Sequence, residues 1–424
     1  MRSLAVAYAN SLVGTYYRRL VHGEAIPASG GLLLYTNHVN GLIDAELPLG
    51  LTERRQFFLA KPSLFRMPLL GSIVRSIGAI PIYRKKDGAD MSKNEDAFRE
   101  IFRVLRSGGM ISLYPEGESL PGFKTRPFKT GAARMVLGAQ EKCEDPIRLV
   151  PVALLYEEQE SFSSRVHIWV GKAFDLMEHM GAYERDPRET VRVVTDMLQD
   201  RMDELTVPVD TKEEFQNVLR MDRILSDSAQ GSPPRLRRLA LQWQEFAAQQ
   251  PERARDLSAR VQALDDKLIP LGIEARDLVE SGLDRTPGHR FLSALKIDFI
   301  LLMTPILVPP IALAAFVAHH GRSTPDKLVT VRALGASVLV PLWGIVLAYW
   351  LSSKTALFPH FWPNLVGIWF LTVVAAGVAS TWSKPRALRR ALTGIGILGR
   401  EKDLRDLWLR KRALQSELQV LFPD

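Results

Sequence analysis

A chain of 424 residues divides into two or three domains at roughly 150 residues each and buries a full core without a disulfide or metal staple. A single cysteine, Cys143, excludes an intramolecular disulfide, and scattered histidines with no Cys/His cluster exclude a structural zinc site. Lysine plus arginine against aspartate plus glutamate stands at 55 to 47, a net charge of +8 with a pI near 9.5, which directs attention to anionic partners: phosphorylated ligands, an anionic bilayer or nucleic acid.

Residues 3–14 (SLAVAYANSLVG) follow Arg2 as a signal peptide would, but Asn10 interrupts the apolar run and no small-residue cleavage site follows. Leu4, Tyr8, Leu12 and Tyr16 recur at near-helical spacing, so an amphipathic helix on the domain or on a bilayer is expected. Residues 30–36 (GGLLLYT) read as a buried strand, as do Gln56–Ala60, Ala79–Tyr83, Met110–Tyr114, Leu149–Tyr156 and Val166–Val170. Helical patterns at Asn94–Ser107 and Thr130–Glu141 lie between them. That alternation predicts an α/β domain over residues 1–185.

From 186 to 296 the chain turns helical, charged and Arg-rich. ETVRVVTDMLQDRMDEL reads as the last amphipathic helix of the first domain. PRLRRLALQWQEFAAQQ and RARDLSARVQALDDKL read as two exposed helices joined near Pro251, with GSPP at 231–234 as a candidate hinge. Whether this region is a lid, a partner surface or a spacer is open at this level. Residues 297–382 hold three uncharged stretches, 299–317, 333–351 and 365–382, that approach bilayer-spanning length and predict two or three C-terminal transmembrane helices. Pro305, Pro309 and Pro310 suit a re-entrant first element. Basic flanks make the second and third a hairpin with cytoplasmic ends, so an integral membrane protein with its first domain on the cytoplasmic face is expected. Residues 383–424 read as a basic cytoplasmic tail, in which Arg389, Arg390, Arg410, Lys411 and Arg412 would meet anionic head groups.

Three constellations carry chemistry. The strand at 30–36 runs into Asn37-His38-Val39-Asn40-Gly41-Leu42-Ile43-Asp44. A histidine past a strand end with a carboxylate close behind is a general-base arrangement, the aspartate fixing the tautomer while the other ring nitrogen takes a proton. On a regular helix the two would point about 120° apart, so they meet only if Asn40-Gly41 breaks the helix or forms its first turn. Tyr114-Pro115-Glu116-Gly117-Glu118-Ser119 sits at a second strand end, in a turn whose N–H groups can steady an anion near Gly117, with Glu116 placed to orient an acceptor. Finally, Lys61 and Arg66, then Arg84, Lys85 and Lys86, then Lys124, Arg126, Lys129 and Arg134 follow successive strands. If those loops share one sheet edge, the His-Asp pair faces phosphate-binding groups.

NHVNGLID, GAIPIYR, LYPEGES and LVPVAL, in that order and flanked by FLAKPSLFRMPLLG and FKTGAARMVLGA, resemble the four motif blocks of the glycerolipid acyltransferase family, which includes glycerol-3-phosphate and 1-acylglycerol-3-phosphate acyltransferases. The resemblance covers about residues 15–185. It implies an α/β acyltransferase fold, a mixed sheet flanked by helices, using acyl-CoA or acyl-carrier protein as co-substrate with no metal or other cofactor. It implies His38 and Asp44 as the catalytic pair, and Asn37, Arg84, Glu116, Gly117 and Ser119 on the substrate. Pro151 falls in the fourth block. Two departures matter: five residues separate His38 from Asp44 where four are usual, and Ser119 stands where the family often has a phosphate-binding arginine. Both resemble the branch of fungal-type glycerol-3-phosphate acyltransferases, and they leave Lys124, Arg126 and Lys129 as substitute phosphate ligands.

The expected activity is therefore transfer of a fatty acyl group to glycerol-3-phosphate or 1-acylglycerol-3-phosphate at a membrane, in phosphatidate synthesis. Another lysophospholipid or lipid alcohol is the alternative acceptor, and a non-catalytic lipid-binding protein the alternative class. Nucleic-acid binding is set aside, because no aromatic-basic face accompanies the high pI.

Overall fold

A computed structural model of the chain describes residues 14, 17–67, 70–76, 78–83, 94–119, 122–160, 164–226, 233–271, 274–279, 282–283, 308–320, 325–354, 360, 362–369, 371 and 401–423. The expected N-terminal helix and the cations Arg84, Lys85 and Lys86 lie outside them. The chain divides into two compact units. The first holds residues 19–155 and 166–206, and the second holds 14–18, 156–165 and 207–424.

The first unit is built on a seven-stranded sheet. Its strands are β1 (Tyr17–Gly23), β2 (Leu32–Thr36), β3 (Gln56–Ala60), β4 (Ile80–Pro81), β5 (Met110–Leu113), β6 (Arg148–Tyr156) and β7 (Ser164–Val170), in the order β1-β7-β6-β2-β5-β3-β4. From β6 to β4 every pair is parallel. β6 and β7 run antiparallel, since Gly171 N donates to Pro151 O and Glu157 N to Arg165 O across the pair. The sheet is therefore mixed. The sequence reading missed β1, because the paired arginines of YRRLVHG break the alternation of a half-buried strand.

Central strands in a parallel sheet are covered on both faces and read as continuous apolar runs, and all five residues of β2 are buried. Leu33 and Tyr35, Ile111 and Leu113, and Leu149 and Ala153 share one face, where they meet Ile101 and Val104 of helix Asn94–Arg106, Ala133 and Leu137 of helix Gly131–Gln140, and Val194 and Leu198 of helix Pro187–Asp203. Arg54 ties the turns that precede β2 and β5: its guanidinium donates to Pro27 O, Gly30 O and Gly108 O.

The second unit is mostly helical: α7 (Lys212–Leu225), α8 (Pro233–Gln249), α9 (Pro251–Leu271), α10 (308–320), α11 (Pro325–Lys354), α12 (362–369) and α13 (Glu401–Leu421), the numbering following helices Gly41–Glu46, Leu70–Ser76, Asn94–Arg106, Gly131–Gln140, Met180–Arg185 and Pro187–Asp203 as α1 to α6. α7 starts on a Thr211 cap whose hydroxyl accepts from Glu214 N. α8 and α9 match the expected pair, and the hinge candidate falls partly outside the described residues.

Of the expected tail, Glu401–Leu421 is a helix, and Arg389 and Arg390 lie outside the described residues. Lys411 is 2% exposed and its ammonium donates to Leu278 O at 3.4 Å, so it faces the interior and not a head group. Arg410 pairs with Asp406 and Arg412 lies over the Trp408 ring. A buried ion network also fills this unit. Glu157 accepts from Arg223 at 2.7 Å and from Arg165 at 3.4 Å, while Glu274 meets Arg165 at 3.0 Å and pairs with Arg276.

The transmembrane expectation gains no support from the described residues. Among the described residues no helix is long and apolar enough to cross a membrane. Of the first stretch only 308–317 are described, as part of α10. Of the third stretch only 365–369 and 371 are described.

Candidate active site

Parallel strands bring the loops after β2, β3 and β5 out at one edge of the sheet, so His38, Lys61 and Glu116 leave the sheet on the same side. Tyr35 pairs in register with Leu113. His38 and Glu116 each lie three residues beyond that pair, and the two loops touch where this predicts: Glu116 Oε1 accepts from His38 N at 3.1 Å.

Asn40-Gly41 makes the bend that the His-Asp pair needs. Gly41 has φ of +53°, and the short helix α1 turns Asp44 back under the loop. Asp44, fully buried, accepts at one oxygen from His38 Nδ1 (2.9 Å), Val39 N (2.8 Å) and Asn40 N (2.7 Å). Three donors thus converge on one carboxylate oxygen and fix the orientation of the side chain. The bond at Nδ1 places that ring proton toward Asp44 and leaves Nε2 as the basic nitrogen. The His38 side chain is 17% exposed, so only an edge of the ring reaches the surface.

The loop after β5 completes the arrangement. Tyr114 stacks on the imidazole of His38, centroids 4.0 Å apart and planes 19° from parallel. Ser119 Oγ accepts from Gly41 N at 2.8 Å, giving α1 the capping acceptor that Asn40 does not supply. Glu116 is buried, and desolvation pushes its pKa up to about 7, helped by the fields of Asp44 and Asp203 and opposed by the His38 N–H and by Arg126. Gly117 takes a φ of +75°, and its N–H donates to Tyr114 O at 3.0 Å. The turn therefore uses that N–H internally, and the expected anion contact at Gly117 does not form through it. Lys129 covers Gly117 instead, its ammonium 2.9 Å from where a Cβ would stand.

The 122–130 segment that carries the cations is tied to α6. Phe128 N donates to Gln199 Oε1 at 2.9 Å, Gln199 Nε2 donates to Thr125 Oγ1 at 2.7 Å, and Thr125 donates to Asp203. Arg126 is half-buried with Nη1 unpaired among the described residues, and Lys124 is exposed. Arg134 lies over the Phe98 ring, which takes it out of the expected cationic ring. Asn37 is also placed differently from the expectation: its amide accepts from Leu154 N (2.7 Å) and donates to Leu154 O (3.0 Å), lacing the end of β2 to β6.

Sequence reasoning singled out neither Glu46 nor Tyr114. Glu46 Oε2 is buried with no partner among the described residues, and burial raises that carboxyl to about 8. Tyr114 was visible in the LYPEGES block, but only the strand register reveals what its ring faces.

Residues 18–155 match the Acyltransferase family model. The chain carries an Acyltransferase-family domain. It is 23% identical over 415 residues to glycerol-3-phosphate O-acyltransferase 1 of Saccharomyces cerevisiae, a match covering 89% of this chain and 53% of that protein, so the chain spans about half of that relative's length. It is 26% identical over 165 residues to the 1-acyl-sn-glycerol-3-phosphate acyltransferase of Borreliella burgdorferi, covering 38% of this chain and 63% of that one. Among solved structures, the 1-acyl-sn-glycerophosphate acyltransferase of Thermotoga maritima aligns with a TM-score of 0.34 at 18% identity, covering 47% of this chain and 80% of that one. The matched 18–155 span contains every motif block of the acyltransferase domain, from Asn37 to Pro151.

Proposed function

We propose that this chain transfers a fatty acyl group from an acyl thioester, acyl-CoA or acyl-carrier protein, to a hydroxyl of glycerol-3-phosphate or 1-acylglycerol-3-phosphate. The observation that carries the reading is the His38–Asp44 pair at the edge of the parallel strands, with Nδ1 held at 2.9 Å and Nε2 left basic. In the proposed reaction Nε2 takes the proton of the acceptor hydroxyl as its oxygen attacks the thioester carbonyl. The tetrahedral intermediate collapses, the C–S bond breaks, and the imidazolium returns the proton to the leaving thiolate. Asp44 stabilises the imidazolium in between without itself being protonated. Arg126, Lys129 and Lys124 are the cations placed to receive the acceptor's phosphate. Arg84 lies outside the described residues.

A long-chain acyl product must enter a bilayer, and the proposed enzyme meets one through its second unit. Phe316 and Val317 of α10, Leu342, Val346 and Trp350 of α11, and Trp362 of α12 are each more than half exposed, and exposed apolar side chains on neighbouring helices support a bilayer as the partner.

The test is thiol release from long-chain acyl-CoA, with glycerol-3-phosphate and 1-acylglycerol-3-phosphate offered in parallel. Release should depend on one acceptor and fall by about 10²–10⁴ in His38→Ala, the range of a lost general base. Silence with both acceptors, and again with acyl-carrier protein as donor, would sink the assignment. Full activity in His38→Ala would keep the family and refute the mechanism.

A further inference from the structure

We infer that the Tyr114 ring is a positioning residue for the general base: its face holds the His38 imidazole in the plane from which Nε2 can take a proton, and favours that ring when it becomes charged. The inference rests on His38 being the base, as proposed above, and goes beyond it by assigning a role to a neighbour in the third motif block.

A single hydrogen bond from Nδ1 to Asp44 fixes one edge of the imidazole but leaves the ring free to rock about that bond. A flat neighbour with its centroid 4.0 Å away and its plane 19° from parallel closes that remaining freedom. Bond and stack thus act in different directions, one in the ring plane and one across it. Tyr114 is itself immobile, because it directly follows β5, whose register against β2 is set by the Tyr35–Leu113 pair. Its placement requires two strands in register, so it is a property of the sheet and not of a mobile loop.

The stack also changes character during the reaction. An aromatic face carries negative charge density and attracts a cation above it. The neutral imidazole gains little from this, whereas the imidazolium formed as the acceptor loses its proton gains more. An interaction stronger in the transition state than in the ground state raises kcat and leaves KM alone. Asp44 from α1 and Glu116 from the loop after β5 act on His38 by hydrogen bonding, so the π face is a separate contribution. The Tyr114 hydroxyl takes no part in it. The hydroxyl is buried with no partner among the described residues, so the ring alone should suffice.

The experiment compares Tyr114→Phe with Tyr114→Leu in the full chain by two readouts. Steady-state acyl transfer should show wild-type kcat for the Phe variant and a loss of roughly tenfold for the Leu variant, with KM within about twofold for both. The second readout needs no turnover. The ring-current shift of the His38 imidazole protons, identified by its absence in His38→Asn, should persist in Tyr114→Phe and disappear in Tyr114→Leu. If the Leu variant does not fold, Tyr114→Met takes its place. Wild-type kcat in the Leu variant, or an equal loss in the Phe variant, would overturn the inference. If the wild type transfers no acyl group at all, the activity reading fails, and the imidazole shift alone then judges the stack. An unchanged shift in Tyr114→Leu would end the stacking proposal on its own.

Discussion

Two carboxyls on α1, two residues apart, meet opposite environments. Asp44 is saturated by three donors, while Glu46 is buried without a partner for Oε2 among the described residues and is raised from 4.5 to about 8. A group whose folded pKa lies above its unfolded value favours the folded state fully below the unfolded pKa, and that contribution is lost as pH rises through the folded one. Between about pH 4.5 and 8 the wild type should therefore lose stability, relative to Glu46→Gln, as the solution becomes more alkaline. At pH 8.5 the variant should be the more stable by a few kcal/mol, and at pH 4 the two should match. Thermal melts of both proteins across that range check this, and a difference that stays flat with pH would refute it. Glu116, raised to about 7, titrates in the same window, but it is common to both proteins and cancels. His38 and Asp44 were legible in the sequence because the strand end, the bend and the carboxylate are contiguous. Glu46 was not, because nothing in GLIDAELP distinguishes an outward carboxyl from an inward one.

Turns and strands set what each loop can do. Gly117 holds a left-handed φ that side chains rarely adopt, and Lys129 occupies the space a Cβ would need. Gly117→Ala should cost about 1–3 kcal/mol of stability from backbone strain and displace the Lys129 ammonium. A melt together with acceptor KM measures both, and the expected signature is a raised KM for the phosphorylated acceptor. An unchanged KM would take Lys129 out of the phosphate site. The strands other than β1 were readable from short apolar runs bounded by turns. The role of Asn37 was not, because lacing to Leu154 requires knowing that β6, more than a hundred residues away, lies beside β2. α7 was missed although its signal was present, Thr211-x-x-Glu214 ahead of an apolar period.

At the scale of the whole chain, local composition did not reveal burial. Arg165 on β7 and Arg223 on α7 are buried between Glu157 and Glu274. A local sequence carries no sign of that, because the partners lie on distant elements. The three apolar stretches read as crossing segments, and their described parts carry exposed apolar side chains. Val338, Leu342 and Val346 follow one another at four-residue steps on α11, each more than half exposed, and form one stripe. Flotation with anionic phospholipid vesicles should recover the wild type, and Leu342→Asp with Val346→Asp should reduce that recovery by about tenfold or more. Undiminished flotation would move the bilayer contact elsewhere. A last consequence concerns the order in which the active geometry can exist. His38 and Asp44 are six residues apart, but Glu116, which braces the His38 backbone, lies 78 residues downstream. A nascent chain thus carries both members of the His38–Asp44 pair long before β5 has emerged. The Glu116 brace on the His38 backbone can form only once synthesis has passed residue 116.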